Sequence, residues 1–300
     1  MLLVVLFSVF LIDGFCCSNM ARSLATVANG GRFVQSGDRA DANKQHEMDK
    51  TMQDFEIEIK TADGVMDVFV CHPDQNGPHP AVILYMDAPG MREELRDMAR
   101  RIGTVGYTVL LPNMYYRTGR EGHYGYDLSR IREDDGERAR MFEVMNTLTN
   151  ARVVDDTKGL LDFIDDCAAA APGPVGCVGY CMSGQFVMSV GAAYPDRFDA
   201  IASYHGVKII TDQPDSPHLV ANRIKGEVYL GFASDDPHVP EEELAAMPGA
   251  MQAAGIKHAI EIYPDTEHGF VFPQRPVYKK AAAERHWETM LALFDRRLRK

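Results

Sequence analysis

A thiol set in a tight turn is where the chemistry of this sequence begins. Val175-Gly176-Cys177-Val178-Gly179-Tyr180-Cys181-Met182-Ser183-Gly184 reads as an apolar strand, a turn of small residues and the start of a helix. A strand entering a helix across such a strained turn lifts one side chain above the sheet, and the positions two before and two after it must be small. For Cys181 these are Gly179 and Ser183, and both fit. For Ser183 they would be Cys181 and Gln185, and Gln185 is too large. The thiol is therefore favoured over the hydroxyl as nucleophile. The bland alternative is that Gly179 and Gly184 only let strand and helix pack closely. A dinucleotide loop would need G-x-G-x-x-G, and Gly176-Cys177-Val178-Gly179 does not supply it.

A nucleophilic thiol needs a base, and the base needs an orienting acid. Where a strand–turn–helix elbow carries the nucleophile, the chain order is nucleophile, acid, histidine. After Cys181 the acids at a strand end are Asp235 and Asp236, and the histidines are His205, His218, His238, His268 and His286. His268 follows a strand expected to end near Tyr263 and precedes Gly269-Phe270. Loops at the carboxyl ends of parallel strands are where such sheets hold their chemistry. His205 also follows a strand end and is expected to line the pocket, whereas His286 falls inside a helix.

The elements that must position these groups begin at Phe55, where apolar and acidic residues alternate. With the turn at Asp63-Gly64 and the strand Val65 to Val70, this predicts a β-hairpin. Buried strands are expected at Ala81 to Met86, Tyr107 to Leu111 and Pro174 to Tyr180. Shorter ones follow at Ala200 to Tyr204, Glu227 to Ala233 and Ala259 to Tyr263. Helical spacing covers Glu93 to Val105, Glu137 to Thr149, Val153 to Ala170, Gln185 to Ala193, Glu241 to Ala254 and Pro276 to Arg299. The alternation predicts an α/β fold with a mainly parallel central sheet and helices on both faces. Asn113 to Gly136 is long for a loop, as active-site covers often are.

Three hundred residues suffice for one such core. The net charge of −12 argues against nucleic acid or an anionic membrane as partner, since both require a basic face. Cysteines 16, 17, 71, 167, 177 and 181 are irregularly spaced, so no metal site is expected, and no cofactor. Cys71, Cys167 and Cys177 read as small buried hydrophobes. A redox pair of Cys177 and Cys181 is disfavoured, because four residues of strand entering a turn carry the Cα atoms beyond the ~7 Å bridging limit.

The beginning of the sequence differs. Leu2 to Ile12 is an apolar run of signal-peptide length, with no preceding Lys or Arg and with Asp13 directly after it. Ser18 to Asp54 is polar and aperiodic and reads as disordered. Residues 1–47 are accordingly expected to be a signal-like or disordered extension of a domain at 48–300, with Met48 or Met52 a candidate start. The expected location is cytoplasmic, or exported if the apolar run is a real signal. A monomer is favoured.

Gly179-Tyr180-Cys181-Met182-Ser183-Gly184, Asp236-x-x-Val239-Pro240 and His268-Gly269-Phe270 together resemble the dienelactone hydrolase family (carboxymethylenebutenolidases), which has an α/β-hydrolase fold. The resemblance covers about Phe55 to Arg299. It implies a cysteine-dependent ester or lactone hydrolase whose triad is Cys181, Asp236 and His268, the acid falling on Asp236 rather than Asp235. The fold's oxyanion donors are the backbone N–H of Met182 and, by resemblance, that of Ala88. The family often has a glutamate at the position of Asp87, which holds the proton of the resting thiol; this chain departs by one methylene. Arg117, beside Tyr116, matches an arginine that contacts the substrate carboxylate. A second would fall four residues after His268, where Phe272 stands; Arg275 lies three residues beyond, outside the expected reach. The resemblance thus places Asp87, Tyr116, Arg117 and Phe272 at the substrate, beside His205. Competing readings are an acyl-transfer enzyme for thioesters or larger esters and a non-catalytic binding protein on the same fold.

Overall fold

The structure is a computed structural model and describes residues 52–299. The expectations for residues 1–47 lie outside the described residues.

Strands β1 (Met52–Thr61) and β2 (Gly64–Pro73) form the antiparallel hairpin that the alternation predicts, with Thr61 opposite Gly64. β3 (Ala81–Tyr85), β4 (Thr108–Pro112) and β5 (Val175–Tyr180) are buried at every position, as strands covered on both faces should be. β6 (Phe198–Tyr204), β7 (Glu227–Asp235) and β8 (His258–Glu267) complete one eight-stranded sheet in the order β1-β2-β4-β3-β5-β6-β7-β8. β2 pairs antiparallel with β4, and every pair beyond that is parallel.

Six α-helices complete the described fold. α1 (Glu93–Thr104) buries Leu95, Met98, Ala99 and Ile102, the i, i+3, i+4, i+7 face of an amphipathic helix. It packs on β2 and β4 and meets α6 (Lys280–Leu298), where Arg101 lies 4.3 Å over the ring of Trp287. α3 (Asn150–Asp166) lies beside α4 (Gly184–Ala193), which packs on β5 and β6. α5 (Glu241–Ala254) follows β7. α2 (Asp135–Met145), capped by the Asp134 carboxylate, buries only Glu137 and Met141.

The boundaries shift where local chemistry overrides periodicity. α2 stops at Met145, and Thr149 caps α3 by accepting from the Arg152 N–H at 3.2 Å. β8 runs on to Glu267, four residues past the expected end. The last helix begins at Lys280, because successive turns through Phe272, Arg275 and Tyr278 occupy the segment before it. The carboxyl ends of β3, β5, β7 and β8 carry the segments holding Ala88, Cys181, Asp236 and His268.

Candidate active site

The elbow is built from steric necessity. Tyr180 leaves β5 extended (φ −121°, ψ 145°), and Cys181 turns the chain at φ 56°. That conformation costs a non-glycine residue about 1–3 kcal/mol, held in place by the packing around it. A Cβ at Gly179 would lie 2.6 Å from the Ser183 carbonyl oxygen and 2.8 Å from Val187 Cγ1; one at Gly184 would lie 2.4 Å from Gly206 Cα. The small residues are there because the turn, the helix start and the loop after β6 touch. Ser183 is fully buried and its hydroxyl donates to the Met86 carbonyl at 2.5 Å, tying the elbow to the loop after β3. Cys181 stays half-exposed.

His268 Nδ1 lies 2.8 Å from Asp236 Oδ2, and the other carboxylate oxygen accepts the His238 N–H at 2.9 Å. Asp235, the alternative acid, is exposed. His268 Nε2 is buried and has no aligned hydrogen-bond partner among the described residues. The Cys181 thiol is near enough to influence its proton without that alignment. Burial pushes the imidazole down, but the bond to Asp236 and the neighbouring thiol outweigh it and hold it up at about 10. Cys177, by contrast, is fully buried, and burial pushes its thiol far up. Cys71 is buried as expected, whereas Cys167 is partly exposed.

Cys181 and His268 open into a cavity of about 760 Å³. Ala88, Met182, Arg92, Arg275, Lys208 and His238 line it, and the long loop contributes Leu128, Ser129, Ile131 and Arg132. A larger open depression of about 900 Å³ lies over Gly122 to Ser129, but none of Cys181, Asp236 or His268 reaches it, so the chemistry belongs to the smaller cavity.

Five expected substrate contacts lie elsewhere. Arg117 makes paired bonds of 2.8 and 2.9 Å to Asp156 and a third of 2.8 Å to Asp63, which commits its guanidinium to joining the hairpin to α3. Tyr116 belongs to the same cluster, bonded to Asp156 and Thr61. Phe272 is fully buried, with the guanidinium of Arg275 at 4.4 Å and that of Arg92 at 5.1 Å from its ring centre. Asp87 is fully buried between Arg92, at 2.5 Å, and Arg275, so its carboxylate is occupied by two cations rather than by the thiol. Burial raises its proton affinity, and the two arginines more than offset that and hold it below the usual carboxylate range. His205 is also fully buried, its ring 4.8 Å from that of His268 and against Phe270 and Phe272. Burial and the neighbouring His268 keep it neutral.

Two further contacts at the site come from tertiary packing. Tyr115 donates its hydroxyl to the Ala88 carbonyl at 2.9 Å and approaches Met182 Sδ at 3.3 Å, so one side chain links the two segments expected to supply oxyanion donors. Arg275 reaches the cavity after all, because the turns after β8 fold it back over Phe272.

An eight-stranded, mostly parallel sheet with a residue raised on a strand–turn–helix and an Asp–His pair beyond the next strand ends is the architecture of an α/β-hydrolase. The dienelactone hydrolase family profile matches residues 66–298, and the chain belongs to that family. It is 26% identical over 234 residues to a Synechocystis protein named provisionally as a carboxymethylenebutenolidase, covering 77% of this chain and 92% of the relative. An Escherichia coli K12 protein with the same provisional name is 27% identical, over 76% of this chain and 82% of the relative. Among solved structures, a dienelactone hydrolase from Anabaena variabilis shares the fold with a TM-score of 0.56 and 17% identity, covering 83% of this chain and 100% of the other. A provisionally named dienelactone hydrolase from Klebsiella pneumoniae gives 0.69 and 22%, covering 81% and 98%. The chain is a carboxylic ester hydrolase of the dienelactone hydrolase type. No helix among the described residues is long and apolar enough to cross a membrane.

Proposed function

We propose that the enzyme cleaves a carboxylic ester or lactone through Cys181, His268 and Asp236 by way of an acyl-enzyme. The observation carrying this is the pairing of His268 Nδ1 with Asp236, which leaves Nε2 beside Cys181 at the cavity. In the reactive form His268, held up at about 10, carries the thiol proton as an imidazolium, and Asp236 fixes the ring and stabilises that charge. The thiolate attacks the carbonyl carbon, forming a C–S bond and an oxyanion that the N–H groups of Met182 and Ala88 stabilise. The C–O bond then breaks and the leaving alkoxide takes the proton from His268. Water adds to the thioester, giving a proton to His268, and the C–S bond breaks to release the acid. An alkoxide that remains tethered to the acyl group makes the substrate a lactone.

The test is mass spectrometry of the enzyme quenched during turnover of p-nitrophenyl acetate. The reading expects an added acetyl group on the peptide containing Cys181, and Cys181→Ala should lack both adduct and turnover. Full turnover by Cys181→Ala would overturn it. We also propose residues 48–300 as the catalytic part; a chain starting at Met48 should keep the activity and melting temperature of the full chain.

A further inference from the structure

The cavity wall opposite in character to the Cys181–His268 pair is a largely apolar helix face that the protein covers only in part. Arg138, Met141, Phe142 and Met145 of α2 stand at i, i+3, i+4 and i+7, the spacing of one helical face, and all four line the cavity. In a helix packed on a core that face would be buried. Here Met141 is buried, but Phe142 remains 37% exposed and Met145 is only partly covered. Leu128, also 37% exposed, Ile131, Val207 and Val277 extend the apolar lining. Methionine side chains adapt their shape to an occupant, which suits a chain better than a rigid ring. The cavity volume of about 760 Å³ is in the range that encloses a drug-sized ligand, much more than a small lactone fills.

The charges around the cavity point the same way. Arg92 is held by Asp87 and Glu94, Arg275 by Asp87, and Arg138 by Asp135. Arg132 and Lys208 lie exposed to water, where an ion pair gains little. A small anionic substrate would have to compete with carboxylates already in place.

We infer that the substrate is a neutral ester or lactone bearing a medium-length alkyl chain, which lies along the α2 face while its carbonyl meets Cys181. This rests on the ester-hydrolase reading of Cys181 and His268. Two ester series test it: p-nitrophenyl esters from acetate to decanoate, which lengthen the acyl side, and acetates from methyl to octyl alcohol, which lengthen the other. In one series kcat/KM should climb ~2–4-fold per added methylene before levelling, the scale of burying a CH₂ group. In that series Phe142→Ser and Met145→Ser should each lower the ratio of long-chain to short-chain kcat/KM several-fold. A flat or falling trend in both series, with acetate still turned over through Cys181, would overturn the alkyl-chain inference alone. Turnover that survives Cys181→Ala would instead overturn the reading beneath it.

Discussion

Gly179→Ala tests whether the elbow is held by contact rather than by glycine's flexibility. The added methyl would sit 2.6 Å from the Ser183 carbonyl oxygen and 2.8 Å from Val187 Cγ1. Both neighbours are fixed: one is backbone of the turn itself, the other a fully buried side chain of α4. Something must move by about half an ångström, and overpacking of this kind costs about 1–3 kcal/mol. For a domain of this size that corresponds to a fall in Tm of roughly 3–10 °C. The displaced turn carries Cys181, and misplacing a reacting atom by up to an ångström costs ~10²-fold in rate. Differential scanning calorimetry and turnover of p-nitrophenyl acetate should therefore fall together. Gly249→Ala is the control: it lies in α5 with nothing within 4 Å of the new methyl, and should gain about 0.5–1 kcal/mol with turnover unchanged. A Gly179→Ala enzyme with wild-type Tm and wild-type kcat would refute the steric argument.

Three further outcomes follow from the charges. His268 is held up at about 10, so its contribution to stability is complete below an unfolded histidine's ~6.5 and is lost as pH rises through 10. The Tm gap between wild type and Asp236→Asn should accordingly be widest near pH 6 and narrow towards pH 10.5; a gap constant over that window would contradict the pairing. Asp87→Ala leaves the largely buried Arg275 without its carboxylate and Arg92 with Glu94 alone, and should lose about 3–5 kcal/mol in urea unfolding; a loss under 1 kcal/mol would show that Arg275 finds water. Arg117→Met should lower Tm by stranding the buried Asp156, while kcat/KM for neutral and carboxylate-bearing esters stays within about twofold of wild type; selective loss of the anionic ester would return Arg117 to the substrate.

The sequence by itself determined the sheet and the elbow, because both rest on local rules. A continuous apolar run as short as Ala81–Tyr85, bounded by Pro80 and Pro89-Gly90, is too short for a buried helix and reads as a strand buried on both faces, and Gly179 and Ser183 mark the turn through sizes that neighbouring atoms demand. The acid was narrowed only to Asp235 or Asp236 by position, and the resemblance chose Asp236, the one that meets His268 across 32 residues. The tertiary structure alone decided which charged groups reach the cavity. Asp87 finds Arg275 from 188 residues away and Arg117 finds Asp156 from 39, and a carboxylate or guanidinium goes where a partner offsets its loss of water. No pattern around Arg117, Phe272 or His205 records those partners. The same holds for Tyr115, whose hydroxyl joins two loops brought together only when β3 and β5 lie side by side.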